Sequence, residues 1–189
     1  AAITPIVLDL NGDGIQTVGL GNGVSFDLDN DGRIEKSAWV HRSDGLLVRD
    51  INHDGTINNG GELFGSGTVL ADGSKASDGY VAMRALDSNL DGVLDANDQA
   101  FGELKVWQDA NGDGKTTAGE LLSLEQLGIR SLSLAATSSA EVNNGNLVGL
   151  MGSYTLADGT TRTLGDVWFQ VDQSGQKVFG PFRLGKQLR

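Results

Sequence analysis

Asp109-Ala110-Asn111-Gly112-Asp113-Gly114-Lys115-Thr116-Thr117-Ala118-Gly119-Glu120 spells a loop suited to surround a hard cation. Ca²⁺ takes six to eight oxygens at about 2.3–2.6 Å, and a twelve-residue loop supplies them from positions 1, 3, 5, 7, 9 and 12. Asp109, Asn111 and Asp113 offer side-chain oxygens, Lys115 its carbonyl, Thr117 a route through water, and Glu120 a bidentate carboxylate. Gly114, at the sixth position, lets the backbone reverse. Apolar residues at helical spacing flank the loop: Phe101, Leu104 and Trp107 before it, Leu121, Leu124 and Leu127 after it, up to Gly128. The spacing predicts one helix from about residue 97 and another from about Glu120.

Working outward, the same pattern returns at Asp87, Asn89, Asp91, the Val93 carbonyl, Asp95 and Asp98. Here Asp replaces Glu at the closing position, and its shorter arm weakens the preference for Ca²⁺ over Mg²⁺. A helix starting at an Asp78 cap and carrying Tyr80, Met83 and Leu86 precedes this loop. Residues 78–128 are therefore expected to form an EF-hand pair sharing a central helix. A third loop has Asp50, Asn52, Asp54 and the Thr56 carbonyl, with its acid, Glu62, one position late. A fourth has Asp27, Asp29, Asp31 and the Arg33 carbonyl, and needs Glu35 or a distant acid such as Asp44 to close it. A fifth has Asp9, Asn11, Asp13 and the Ile15 carbonyl and no closing acid of its own. The spacings of 18, 23, 37 and 22 residues describe a repeated device, not a regular solenoid.

Composition agrees with this reading. The 189 residues carry a net charge of −11, and the acids divide into 19 Asp and 6 Glu. Short Asp beside Gly and Asn suits tight loops and hard-cation ligands, whereas Glu would better suit a merely solvated helical surface. About five Ca²⁺ would add +10 to that −11 and leave the module near neutrality. Such a charge excludes nucleic acid and anionic membrane as natural partners. With no cysteine, neither disulfides nor thiolate metal sites are available. No apolar run reaches the length of a membrane span.

The remaining segments complete an α+β expectation. Ile6-Val7-Leu8, Val24-Ser25-Phe26, Ala38-Trp39-Val40 and Leu46-Leu47-Val48 read as short strands in a strand-rich part over 1–65. Ile129 to Leu134 reads as a strand, Thr137 to Asn146 as a polar loop, and Leu147–Leu156 with Thr160–Val171 as a hairpin within 129–172. One Ca²⁺-dependent module over 1–175 results, expected to be monomeric in isolation, with 176–189 a tail or linker. Trp39, Trp107 and Trp168 are expected in the core. His41 and His53 lack the neighbours a zinc site needs, and no nucleophile elbow, P-loop or dinucleotide fingerprint is present.

Several blocks go beyond the loops. Pro5-Ile6-Val7-Leu8-Asp9-Leu10-Asn11-Gly12-Asp13-Gly14-Ile15, Asp44-Gly45-Leu46-Leu47-Val48-Arg49-Asp50 and Gly61-Glu62-Leu63-Phe64-Gly65 are of this kind. Leu86-Asp87-Ser88-Asn89, Val106-Trp107-Gln108-Asp109 and Gly152-Ser153-Tyr154 are others. Over about residues 5–170 the chain resembles the self-processing modules of iron-regulated RTX proteins. The resemblance implies type I secretion, a place outside or on the surface of a Gram-negative bacterium, and folding triggered by Ca²⁺. In active members it implies cleavage of an Asp-Pro bond at the module's start. Here Thr4 precedes Pro5 and Gly180 precedes Pro181, so no Asp-Pro bond exists and self-cleavage is not expected. Related modules in large RTX adhesins bind ligands, so the expected role is a Ca²⁺-folded adhesin module gripping a protein or peptide. A purely structural Ca²⁺ module is the alternative.

Overall fold

The computed structural model describes residues 2–172; the tail expected over 176–189 lies outside them. Fourteen strands are described: β1 (Ala2–Ile3), β2 (Ile6–Leu8), β3 (Thr17–Val18), β4 (Val24–Phe26), β5 (Glu35–Ser37), β6 (Trp39–Val40) and β7 (Gly45–Arg49) in the first third. β8 (Val93–Leu94), β9 (Leu104–Trp107), β10 (Leu121–Ser123), β11 (Ile129–Ser133), β12 (Thr137–Asn143), β13 (Asn146–Leu156) and β14 (Thr161–Asp172) follow. Among the described residues a single α-helix, α1 (Gly79–Arg84), is present, capped by the Asp78 carboxylate accepting from the Val81 N–H.

The main sheet is antiparallel, in the order β10-β9-β7-β2-β14-β13-β11-β8. Its spine is β14. It pairs with β13 from Thr161 to Trp168, in the hairpin the sequence predicted, and with β2, β1 and β5 at successive positions from Leu164 to Asp172. Both faces of the central strands are covered. Val7, Leu46, Val48, Trp107 and Val167 pack into one core with Phe26 and Trp39, while Ile6, Leu8, Leu47, Val106 and Leu164 pack into another with Tyr80, Met83 and Phe64. Burial on both faces explains why Ile6-Val7-Leu8 and Leu46-Leu47-Val48 are uniformly apolar instead of alternating.

The α+β expectation, with its EF-hand pair, is overturned. Phe101–Glu103 is a single 3₁₀ turn leading into β9, and the stretch after Glu120 is β10 followed by turns to Gly128. Leu104, Val106 and Trp107 are buried and Lys105 is exposed, because β9 pairs with β7 on one side and β10 on the other. Gly102 interrupts the helical spacing, and β-branched Val106 favours the pleat. The polar loop expected at Thr137 to Asn146 is also corrected. It contains β12, an exposed strand on β13, where the absence of a core on either side removes the apolar alternation that marks strands. Trp39 and Trp107 are buried as expected; Trp168 is only half-buried.

Candidate metal centres

All five loops share one backbone. In each, the sixth-position glycine is left-handed: Gly14, Gly32, Gly55, Gly92 and Gly114 have φ between 71° and 94°. So is the fourth position, occupied by Gly12, Asn30, His53, Leu90 and Gly112. The turn so formed aims the sixth N–H at the first carboxylate, from Gly14 to Asp9, Gly32 to Asp27, Gly55 to Asp50, Gly92 to Asp87 and Gly114 to Asp109, at 2.8–3.0 Å. Seventh-position amides of Arg33, Thr56, Val93 and Lys115 donate to the fifth-position carboxylates Asp31, Asp54, Asp91 and Asp113. The ligand residues read from the sequence thus occupy equivalent places in five copies of one turn, with strands and short turns where helices were expected.

The closing acid repeats as well. Glu120 accepts the N–H groups of Ala110 and Thr117, Asp98 those of Ser88 and Asp95, and Glu62 those of Ile51 and Asn58. In each case these are the second and ninth residues of the loop, so Glu62, one position late, and the shorter Asp98 reach the same place. For the Asp9 loop the acid comes from outside: Asp44, fully buried, accepts from Leu10 at 3.1 Å and Gln16 at 2.8 Å. Pairing of Leu8 with Gly45 brings it there. The sequence carried no local signal for this, because the link exists only once β2 and β7 are in register.

The Asp27 loop is closed by Glu35. Asp27, Asp29, Asp31 and Glu35 offer carboxylate oxygens that lie within 4.8 Å of one another, and so do Asp9–Asp13–Asp44, Asp50–Asp54–Glu62 and Asp87–Asp91–Asp98. Among the described residues Asp109, Asp113 and Glu120 do not form such a group. Glu35 differs from every other closing acid. It is 2% exposed and neither oxygen has a hydrogen-bond partner. Burial first, then the charges of Asp29, Asp31 and Asp27, push its carboxyl up to about 7. Asp29 is raised likewise, by burial and then by Asp31. Burial also lifts Asp44 to about 6, against the lowering pull of the Gln16 and Leu10 amides. In the Asp109 loop, Oδ1 of Asp109 is buried and unpartnered, while Oδ2 accepts from Trp39 Nε1 and the Gly114 N–H at 2.8 Å each.

Unpaired buried carboxylates are costly, and clusters of them persist where a cation supplies the missing partner. The donors are carboxylates, a set suited to Ca²⁺, Mg²⁺ or Mn²⁺ and unsuited to soft metals. The residues therefore fit a hard divalent cation.

A second buried acid lies apart from the loops. Asp166 on β14 is fully buried; one oxygen accepts the Gly79 N–H at 2.7 Å and the other has no partner. Thr4, whose buried hydroxyl also lacks a partner, stands close by. Burial pushes the Asp166 carboxyl up to about 7, opposed by the Gly79 amide and reinforced by Asp78. Nothing in the sequence pattern singled this residue out.

Fold and loops together define an antiparallel β module carrying repeated acidic loops that could hold a metal ion. A family model described as the SPM domain matches residues 6–170, and the chain belongs to that family. It is 50% identical over 171 residues to the iron-regulated protein FrpA of Neisseria meningitidis serogroup C, covering 89% of this chain and 15% of that protein. The chain thus spans about 15% of the length of this curated relative, as an RTX-related module would. No helix among the described residues is long and apolar enough to cross a membrane.

Proposed function

We propose that this is an extracellular module of an RTX-type adhesin that folds around Ca²⁺ and then binds a protein or peptide ligand. The observation that carries the metal part is Glu35, buried without a partner among three aspartates. A cation is the partner that chemistry supplies there. Calorimetry with and without EDTA tests it: a large loss of stability on chelation is expected, and an unchanged melting temperature would refute it.

The ligand part is supported by an apolar cleft of about 290 Å³ between the Asp50 loop and α1, lined by Arg49, Ile51, Leu63, Phe64, Leu70 and Leu86. Exposed Ile51 and Val69 stand at this side of the molecule. A peptide-library screen with and without chelator is expected to return Ca²⁺-dependent binders. Return of none would favour a purely structural module. Self-cleavage is not part of the reading, since Thr4 offers no carboxyl before Pro5. A chain carrying extra residues before Thr4 should keep its mass after Ca²⁺ addition, and a product beginning at Pro5 would contradict this.

A further inference from the structure

The two loops with buried, unpartnered carboxylate oxygens are joined by one aromatic cluster. Phe26, the residue before Asp27, packs against Trp39 at 5.3 Å and Trp107 at 5.9 Å between ring centroids. The two indoles meet edge-on at 5.5 Å. Trp39 Nε1 donates to Asp109 Oδ2 at 2.8 Å, and Trp107 Nε1 donates to Glu120 Oε1 at 3.2 Å. The first and last acids of one cation loop are thus each held by an indole of the core. An indole N–H can only donate and must find an acceptor when buried. With Asp109 Oδ2 occupied by Trp39 and Gly114, Oδ1 is the oxygen left for a cation. On the other side, β4 ends at Phe26, and β5 begins at Glu35 and ends two residues before Trp39.

We propose that Trp39 and Trp107 are positioning residues for the cation loop at Asp109, and that through Phe26 and β5 they couple it to the loop at Asp27. The proposal rests on the Ca²⁺ reading above. Ca²⁺ among Asp27, Asp29, Asp31 and Glu35 removes the repulsion that strains the β4–β5 ribbon. Phe26 and Trp39 are carried by that ribbon and the residues following it, so their rings become fixed. The Trp39 N–H then holds the Asp109 carboxylate in its binding orientation before the second ion arrives, so less ordering remains to be done. Linkage requires the effect to run equally in both directions. The Asp87 loop shares none of these aromatic contacts and contains β8, at the other end of the sheet order.

The test is a Ca²⁺ titration of the full chain, followed through the backbone amides of Gly32, Gly92 and Gly114 by nuclear magnetic resonance. Each amide donates to the first carboxylate of its own loop and so reports that loop alone. Glu35→Gln is expected to raise the Ca²⁺ midpoint at Gly114 by roughly 5- to 150-fold, the usual span of site coupling, and to leave Gly92 unmoved. Trp39→Phe keeps a ring but loses the N–H, and should raise the Gly114 midpoint by about 10- to 100-fold, as loss of an outer-shell partner does. General loosening of the core would instead move Gly92 as well, and would overturn the positioning role. An unchanged Gly114 midpoint in Glu35→Gln would overturn the coupling while Ca²⁺ binding stood. If Ca²⁺ moved none of the three amides in the unaltered chain, the Ca²⁺ reading would fall and the coupling with it. Should Trp39→Phe not fold, Glu35→Gln leaves the aromatic cluster intact and decides the coupling, and Trp107→Phe tests the positioning.

Discussion

At the fourth position of each loop the backbone is left-handed, a conformation that costs an L-residue roughly 1–2 kcal/mol and glycine almost nothing. Gly12 and Gly112 meet the requirement freely, and Asn30 tolerates it, but Leu90 holds φ 57° with its side chain 86% exposed. Leu90→Gly should therefore stabilise the Ca²⁺-loaded protein by about 0.5–1 kcal/mol, the strain relieved less the entropy of a freer unfolded chain. Urea unfolding at fixed Ca²⁺ measures this, and a loss of stability would show that the Leu90 side chain makes a contact that outweighs its strain. The sixth-position glycines were legible in the sequence because all five loops carry one. The fourth position was not, because three of the five residues there give no sign of the conformation they adopt. Asp166 makes a second residue-scale prediction, in pH. Its folded carboxyl sits near 7 instead of the ordinary 3.8, so between those values the folded state holds a proton that the unfolded chain has released. Stability must then fall as pH rises through that window. Asp166→Asn can still accept the Gly79 N–H and has no charge to bury. At saturating Ca²⁺ it should match the parent near pH 4 and exceed it by on the order of 2–4 kcal/mol above pH 7. A difference independent of pH would show that Asp166 does not titrate there.

An element is legible in the sequence where its apolar run, its cap or its turn is explicit, and illegible where a short apolar spacing has two meanings. Asp78 before Gly79–Arg84 marked the helix, and the turn at Ala157-Asp158-Gly159 marked the β13–β14 hairpin. Leu104 and Trp107 fit one face of a helix as well as they fit β9. What decides between them is the partner strands β7 and β10, which pair with it across 55 or more residues on one side and 14 or more on the other. A period of three in so short a stretch cannot reveal a partner so distant in the chain. The same non-local pairing supplies Asp44 to the Asp9 loop, which tests the element directly. In Asp44→Asn one side-chain oxygen remains to accept an amide, but the new NH₂ faces either the Leu10 or the Gln16 N–H. An unsatisfied buried donor costs about 1–3 kcal/mol, and a carboxylate is lost from the ligand set. Titration calorimetry should show one ion fewer than the parent, with the amide of Gly92 still responding to Ca²⁺. An unchanged stoichiometry would mean that the Asp9 loop takes its cation without β7, or takes none.

Over the whole molecule, 25 acidic side chains face 14 basic ones, and among the described residues the one side-chain ion pair recorded is Arg49 with Glu103. The acids in the loops are held by backbone N–H groups and by neutral Asn, Ser, Thr and Trp side chains, which orient them without neutralising them. Two different forces could therefore limit folding without metal: general repulsion across the molecule, or the local absence of a partner at each loop. They respond differently to salt. At about 1 M NaCl the screening length is about 3 Å, enough to suppress repulsion between loops but not to coordinate Glu35 or Asp109 Oδ1, both buried. Each site filled at a hundred times its dissociation constant adds about 2.7 kcal/mol, so several sites together rival the usual 5–15 kcal/mol of a folded domain. In EDTA the chain is thus expected to lose its sheet signal in circular dichroism, to stay open when NaCl is raised to about 1 M, and to regain the sheet on adding excess Ca²⁺. Mg²⁺, which dehydrates reluctantly and demands a tighter octahedron, should restore it less completely at equal concentration. Recovery in NaCl alone would assign the dependence to net charge, and the loops would then be turns that tolerate cations instead of sites that require them.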